Sequence, residues 1–406
     1  MSSLSIAPYF DFGRTKVIAQ NVHPKGSQVH VAPDLRYRPL CHDCGAPAAA
    51  VHSAGHRRMV RDLCMTDRQV WLQVDYRKIW CPVCNKVRVE RLDFCQASQR
   101  LTRRLAQYVY DLCKVMTVLE VARHLDLDPK TVKAIDKTFL EDQYGQMDAK
   151  DLQILAIDEI AVKKGHVYMT VVLDYYTGRV VWMGPGHDKE TLDAFFAQMT
   201  PQQKAAIVAV AMDMWEPYIN RVKHHCPQAK IVFDLFHVVK AFGFVIDEVR
   251  RSEYKKADKG QRDLLKGSRY LLLSNRRNLD RKGKTQLQQV LELNQTLSSV
   301  YVLKDQLKVI YHYRRRGWAK KALDRWCELA GEIDHPEMAR FIRRLRTFEQ
   351  GILNHCDFHI GTSVLEGVNN KIKVIKRKAY GFHDEEYFAL KVKQAFPGKT
   401  TFNFIG

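Results

Sequence analysis

Four cysteines and three carboxylates are the residues whose types and spacing could do chemistry in this 406-residue chain. "CHDC" (Cys41, Cys44) and "CPVC" (Cys81, Cys84) are two Cys-x-x-Cys knuckles a few tens of residues apart, the spacing that supplies four thiolates to one tetrahedral zinc. Such a site has no open position, so the zinc is expected to be structural. Cys64, Cys95, His52 and His56 lie nearby, but the two pairs already fill four positions. Asp158 lies in the apolar run "LQILAIDEIAV", Asp213 ends "AAIVAVAMD", and Glu366 heads "LEGVNNKIKVIKRK". Carboxylates at strand ends and on an adjoining helix can converge on hard divalent cations, which prefer oxygen ligands. The rival for each is a surface or capping role, which is the ordinary reading of any one of them alone. Asp158 is the strongest single case, because an acid in so apolar a strand is costly unless paired or metal-bound. Glu159 adjoins it but points to the opposite face.

Glu366 stands before five bases, Lys371, Lys373, Lys376, Arg377 and Lys378. On a helical wheel Leu365, Val368, Ile372 and Ile375 share one side, while Glu366, Asn370, Lys373 and Arg377 lie nearly opposite. A solvated helix more often mixes its signs, so this face is expected to meet an anion. The whole chain agrees: 65 Lys and Arg against 45 Asp and Glu leave a formal net charge of +20, which favours nucleic acid. An anionic membrane surface is the rival partner, but no apolar run approaches membrane-spanning length. The start "MSSLSIAPYF" lacks a basic segment followed by an apolar core, so a cytosolic location is expected, where cysteines need not form disulfides.

The elements that must position these groups follow from periodicity. Short β-like runs such as "RQVWLQVDYRKIW" bring the second knuckle back to the first. "MTVLEVARHLDLDPKTVKAIDKTFLED" reads as helix, turn, helix, with Asp128 as N-cap and Pro129 as the first residue of the second helix. An ordinary helical hairpin is the plain reading; with so basic a chain we expect a helix-turn-helix with Lys130, Thr131, Lys133 and Lys137 near DNA. From 152 the order is β-β-β-α-β-α-β-α, with a hairpin at "DYYTG". Residues 240 to about 355 are amphipathic and helical without comparable strand signal.

"LAIDEIAVKKGHVYMTVVLDYYTGRVVWMGPG", "AVAMDMWEPYI", "IVFDLFHVVK" and "LEGVNNKIKVIKRKAYGF" closely resemble the bacterial insertion-sequence transposases of the family called ISL-three. The knuckles and the helix-turn-helix fall where that family carries them, so the resemblance spans nearly the whole chain. It implies a multidomain α+β protein: a zinc-binding module over 1–97, a helix-turn-helix over 98–148, and a ribonuclease-H-like α/β core over 149–240 and 356–406. A helical insertion over 241–355 would interrupt that core. It further implies a DDE transposase using Mg²⁺ or Mn²⁺, with Asp158, Asp213 and Glu366 as catalytic triad and metal ligands. The family's Asp-x-x-His motif stands here as Asp234 and His237, and Asp234 competes with Asp213 for the second place. The partners implied are double-stranded DNA, as transposon ends and target, and further copies of the chain in a synaptic complex, in the bacterial cytoplasm at the nucleoid. Asn370, Lys371, Lys373, Lys376, Arg377 and Lys378 would hold flanking DNA. The rival functions are a DNA-binding regulator without catalysis, a nuclease that cuts without joining, and a redox protein using its Cys-x-x-Cys pairs.

Overall fold

The computed structural model describes residues 6–23, 26–66, 68–95, 100–163, 167–358, 360, 363–379 and 381–398. The chain forms two compact units, Met1–Phe139 and Leu140–Gly406. Among the described residues there are ten strands and sixteen α-helices, none of the helices long and apolar enough to cross a membrane.

In the first unit β1 (Thr15–His23), β2 (Gly26–Pro33), β3 (Ala50–Met65), β4 (Arg68–Cys81) and β5 (Lys86–Val89) form one mixed sheet. Its path runs β1-β2-β4-β3, with β5 paired to β4. Strict alternation in β2 and β4 turns Val29, Val31, Val70, Leu72 and Val74 to one face, where they pack with Val60, Leu92 and Phe94. Three helices follow: α1 (Arg103–Cys113), α2 (Val118–Leu125) and α3 (Pro129–Tyr144). Thr117 and Glu120 make a reciprocal capping box at the start of α2. Asp126, in the left-handed region at φ 51°, ends α2. Asp128 then accepts from the N–H groups of Lys130 and Thr131 at 2.9 and 3.2 Å, starting α3 at Pro129 as the sequence predicts. Val109, Val121, Leu125 and Val132 close the small core between the helices.

The second unit opens with an antiparallel meander, β6 (Ile154–Lys163), β7 (Val167–Asp174) and β8 (Val180–Pro185). α4 (Lys189–Phe196) and α5 (Pro201–Ala205) lead to β9 (Ala209–Met212), then α6 (Glu216–His225) to β10 (Lys230–Phe233). The sheet order is β10-β9-β6-β7-β8, with β6, β9 and β10 parallel. After β10 the chain is helical: α7 (Leu235–Lys256), α8 (Lys259–Leu265), α9 (Arg269–Leu273), α10 (Arg281–Leu293) and α11 (Gln295–Ile310). α12 (Arg316–Gly331), α13 (Pro336–Thr347) and α14 (Glu349–Leu353) complete this stretch, and α15 (Ser363–Lys378) and α16 (Glu385–Ala395) return to the sheet.

α7 runs without a break across 240/241, where the sequence reading divides core from insertion. Asp234 caps its start, and no proline or adjacent turn signal interrupts it before Ala257. The helices beyond it do not build a core of their own. Phe242 of α7 packs edge-on against Trp326 of α12 at 5.3 Å and, with the rings tilted, against Phe341 of α13 at 5.1 Å. All three belong to the apolar cluster that also holds Leu155, Val210 and Phe233 of the sheet. The opposite sheet face carries Ala156, Val171 and Ala211 and is covered by Leu365, Val368 and Ile372 of α15 and Phe388 of α16.

Candidate active site

Strand register places the acids. Ala156 of β6 pairs with Ala211 of β9, and Met212 of β9 pairs with Phe233 of β10. Two residues beyond the first pair stand Asp158 and Asp213; one beyond the second stand Asp213 and Asp234. Three aspartates therefore form a row across three adjacent parallel strands, Asp158 midway along β6 and Asp213 and Asp234 just past the C-terminal ends of β9 and β10. By alternation they share the sheet face of Ala156 and Ala211, the face that α15 covers.

Asp158 is mostly buried; its Oδ1 accepts from the Glu159 N–H at 2.8 Å, and the Asn369 amide of α15 donates to its Oδ2. Asp213 is more open and accepts from the Met214 N–H at 2.6 Å. His237, in the first turn of α7, lies between them, Nε2 3.8 Å from Asp158 and Nδ1 3.5 Å from Asp213. Asp234 is buried and caps α7 through the Phe236 N–H at 2.7 Å, which fixes the turn carrying His237.

The charges interact strongly. Burial alone would lower the His237 pKa, but Asp213, Asp158 and Asp234 together hold it above the ordinary imidazole value. Burial would raise Asp213, yet His237 and Arg344 hold it below the usual carboxylate range. Asp234 is pushed up, by burial first and then by its two acidic neighbours, against the Phe236 N–H and His237. Glu159 faces the other side of the sheet, yet burial and the charges of Asp158 and Asp213 push it up to about 7.

Glu366 lies exposed on α15, one turn before Asn369, with no hydrogen bond or ion pair among the described residues. The structure thus brings Asp158, Asp213, Asp234 and His237 together but does not draw Glu366 into a tight group with the aspartates. Asn369 was not among the sequence-predicted site residues; its signal is its place at i+3 from Glu366, between the apolar and charged faces. Of the bases on α15, Lys371, Lys373, Arg377 and Lys378 are exposed and Lys376 is half-buried; Arg377 donates back to the Lys373 carbonyl at 3.4 Å. Lys371 donates to the Ala395 carbonyl at 2.6 Å and sits over the Phe396 ring, and Lys376 donates to the Ala161 carbonyl at 3.3 Å. Both flank the buried seam of the helix, so their long stems lie along the protein. A cleft of about 390 Å³ extends from Asp213 and His237 between α7 and α13.

In the first unit the thiols of Cys41, Cys44, Cys81 and Cys84 all lie within 4.8 Å of one another. Cys41 Sγ is 3.9 Å from Cys84 Sγ, and Cys44 Sγ is 3.4 Å from Cys81 Sγ. Four thiolates at the usual zinc–sulfur bond length sit roughly 3.8 Å apart around a tetrahedral ion, so this group could bind zinc. Each knuckle is closed by a left-handed residue after its second cysteine, Gly45 at φ 72° and Asn85 at φ 50°. The Cys84 N–H donates to Cys81 Sγ and, with the neighbouring thiols, lowers that thiol to about 7 against its burial. The neighbouring thiol of Cys44 and burial push Cys84 up to about 12, and burial also raises Cys41. On α3, Lys130 is exposed and Thr131, Lys133 and Lys137 are half-buried, while Val132 and Asp136 point inward.

Comparison with known proteins supplies the class. A model described as the helix-turn-helix domain of transposase family ISL3 matches residues 90–140, and one described as transposase, of the DDE type in the same family, matches 155–392. The chain resembles the transposase for insertion sequence element IS1001 of Bordetella parapertussis, 44% identical over 362 residues, 88% of this chain and 89% of that one. It also resembles the transposase for insertion sequence element IS1557 of Mycobacterium tuberculosis, 26% identical over 85% of this chain and 83% of the other. By class, then, this is an insertion-sequence transposase with a helix-turn-helix DNA-binding domain. It belongs to the ISL3 family.

Proposed function

We propose that the chain binds the terminal inverted repeats of its insertion sequence, cuts DNA at the element ends, and joins the freed 3′-hydroxyls to target DNA. The observation that carries this reading is the row Asp158, Asp213 and Asp234 across adjacent parallel strands, beneath the helix that bears Glu366. We read the second unit as a ribonuclease-H-like core over 149–240 and 356–406, with 241–355 as its helical insertion; an antiparallel meander followed by alternating helix and strand supports this. The zinc module over 1–97 and the helix-turn-helix over 98–148 would read the element ends, with Lys130, Thr131, Lys133 and Lys137 close to DNA.

Asp158, Asp213 and Glu366 would hold magnesium or manganese; their hard oxygen donors suit such ions. When bound there, the ions supply Lewis acidity to the phosphodiester and stabilise the leaving oxygen. The protein's own part is to position. Asn369 and the Glu159 N–H orient Asp158, the Met214 N–H orients Asp213, and His237 offsets their charge until a cation does so. Asn370, Lys373, Arg377 and Lys378 on the open side of α15 would hold the DNA backbone beyond the scissile bond, contacts that weaken steeply with salt. Lys371 and Lys376 share that duty only if they release their carbonyls. Asp234 shapes the site through α7 and is not needed as a ligand. Two ends held together call for at least two copies of the chain, acting at the bacterial nucleoid.

The test is incubation of the purified chain with Mg²⁺ and DNA carrying the element ends. Cleavage followed by 3′-end joining is expected, and Asp158→Ala, Asp213→Ala and Glu366→Ala should each lower the rate on the order of 10³-fold, the scale of several kcal/mol of metal-borne charge stabilisation. Cleavage that survives Asp158→Ala would refute the reading. Cleavage without joining would make the chain a nuclease, and end binding without either a regulator.

A further inference from the structure

The cleft beside Asp213 has a chemistry of its own. One wall is a single face of α7, on which Lys240, Phe244 and Glu248 recur at helical spacing after His237. The other is a face of α13 with Glu337, Arg340 and Arg344. Arg344 donates to the Met214 carbonyl at 2.7 Å, which ties α13 to the residue after Asp213. Phe341 closes the floor and is buried, but Phe244 is 64% exposed, its ring presented to the cleft from the middle of a long helix. An exposed phenyl there adds nothing to the core.

Charge and size narrow the occupant. A groove for DNA backbone is expected to be uniformly basic. Here the bases Lys240, Arg340 and Arg344 are met by Asp213, Glu248 and Glu337, with Glu337 bonded to Arg340 at 2.7 Å and Glu248 to Arg251 at 2.8 Å. That balance, around an open aromatic ring, suits a base better than a run of phosphates. About 390 Å³ is small-ligand size and far too narrow for a duplex. A lone nucleotide taken out of the stack is the DNA element that fits, held by its π-face on an aromatic side chain.

We propose that this cleft receives one unpaired nucleotide of the element-end DNA, its base stacked on Phe244, next to the phosphate positioned at Asp213. The proposal rests on the end-cutting reading above. Extruding the nucleotide would bend the strand at the scissile bond and fix which phosphate lies over the acids. Lys240 and Arg340, at the cleft mouth, are placed for the phosphates on either side of the extruded sugar.

The experiment measures binding of the full-length chain, without magnesium, to a set of end duplexes, each abasic at one position around the cut. Phe244→Ala and Phe244→Leu should both weaken binding to the intact end about tenfold, the scale of one stacked base. That loss should vanish on the duplex abasic at one particular position, because ring and base are partners in the same interaction. Phe244→Trp should bind the intact end as the wild type does. Phe244→Leu keeps an apolar side chain on α7 and guards against a folding defect in the alanine variant. Wild-type affinity in both variants, or an equal loss on every abasic duplex, would overturn the stacking site while leaving end recognition intact. A wild-type chain that does not prefer element ends over unrelated duplex overturns both.

Discussion

The two candidate metal centres of this transposase are assembled to different degrees. In the first unit four cysteine sulfurs already stand within 4.8 Å of one another, whereas Asp158, Asp213 and Glu366 form no such group. The contrast has a chemical origin. Burial and neighbouring thiols keep Cys41 and Cys84 protonated near pH 7. The group therefore carries little charge beyond that of Cys81 until a metal displaces its protons, and it can share a small volume at little electrostatic cost. Carboxylates are already charged and repel, so they need a counter-charge to approach. The protein provides interim partners, His237 between the two aspartates and the Asn369 amide on Asp158. Connectivity adds to the difference. The second knuckle is the turn between β4 and β5 and the first is bridged to the end of that hairpin through Cys41 and Glu90, whereas Glu366 reaches its sheet only after the helices α7 to α14.

If the thiol cluster is a structural zinc site, removing a ligand should have the largest effect on stability of any change considered. Cys81→Ser should release one zinc per chain and destabilise the first unit by about 4 kcal/mol or more, the scale of losing a structural metal. Metal analysis and denaturant unfolding check this. A zinc-free chain that unfolds like the wild type would break the comparison, leaving four clustered thiols with no metal role. The second unit should keep its own unfolding transition, since no sulfur of the cluster belongs to it.

The same contrast governs what could be read from residues alone. Two knuckles with short internal spacing announce their chemistry without any knowledge of the fold, and Asp158 is conspicuous because it interrupts an apolar strand. Asp128 as the cap of α3, and Leu365, Val368 and Ile372 as the buried seam of α15, follow from local pattern and recur in the structure. The row of aspartates does not: it depends on the register of β6, β9 and β10, which only tertiary pairing sets. Asn369 escaped notice because an amide in a polar helix is unexceptional until its partner, 211 residues away, is known. Lys371 and Lys376 read as DNA contacts by charge, yet both find backbone carbonyls within the unit, because nothing in a sequence shows where a long flexible side chain ends. The 240/241 boundary of the sequence reading falls inside α7. α7 continues through it because the helices beyond share the apolar cluster of the sheet.

A smaller effect tests whether His237 is the counter-charge of the acid site. Its pKa is held above the ordinary value, so its contribution to stability is complete below about pH 6.5 and is lost as pH rises through the folded-state value. Asp213 is held low, so its share is present above about pH 4 and is lost only as pH falls further. Glu159, raised to about 7, also lowers stability as pH climbs from its ordinary range to neutrality, so wild type and variant must be compared at each pH. His237→Gln, unfolded in magnesium-free buffer, should cost about 1.5–3 kcal/mol at pH 6, the usual worth of a hydrogen bond to a charged group, and less at pH 9. A cost independent of pH would mean that His237 acts by packing alone.

The smallest expected effect falls on Asn369, and it sharpens the comparison most. Its amide does for Asp158 what the Cys84 N–H does for Cys81: it fixes the direction of a donor atom before any metal arrives. Loss of such an outer partner typically costs about tenfold in metal affinity or activity at the low end. Asn369→Ala should therefore raise the magnesium concentration for half-maximal cleavage about tenfold while leaving the salt dependence of DNA binding unchanged. Asn369→Asp keeps the shape but replaces the donor with a second charge beside Asp158, so it should be worse than alanine. If alanine instead weakens DNA binding and leaves the magnesium requirement as it was, α15 meets the acids only through its apolar seam. The acid site would then lack the pre-orientation seen in the thiol cluster.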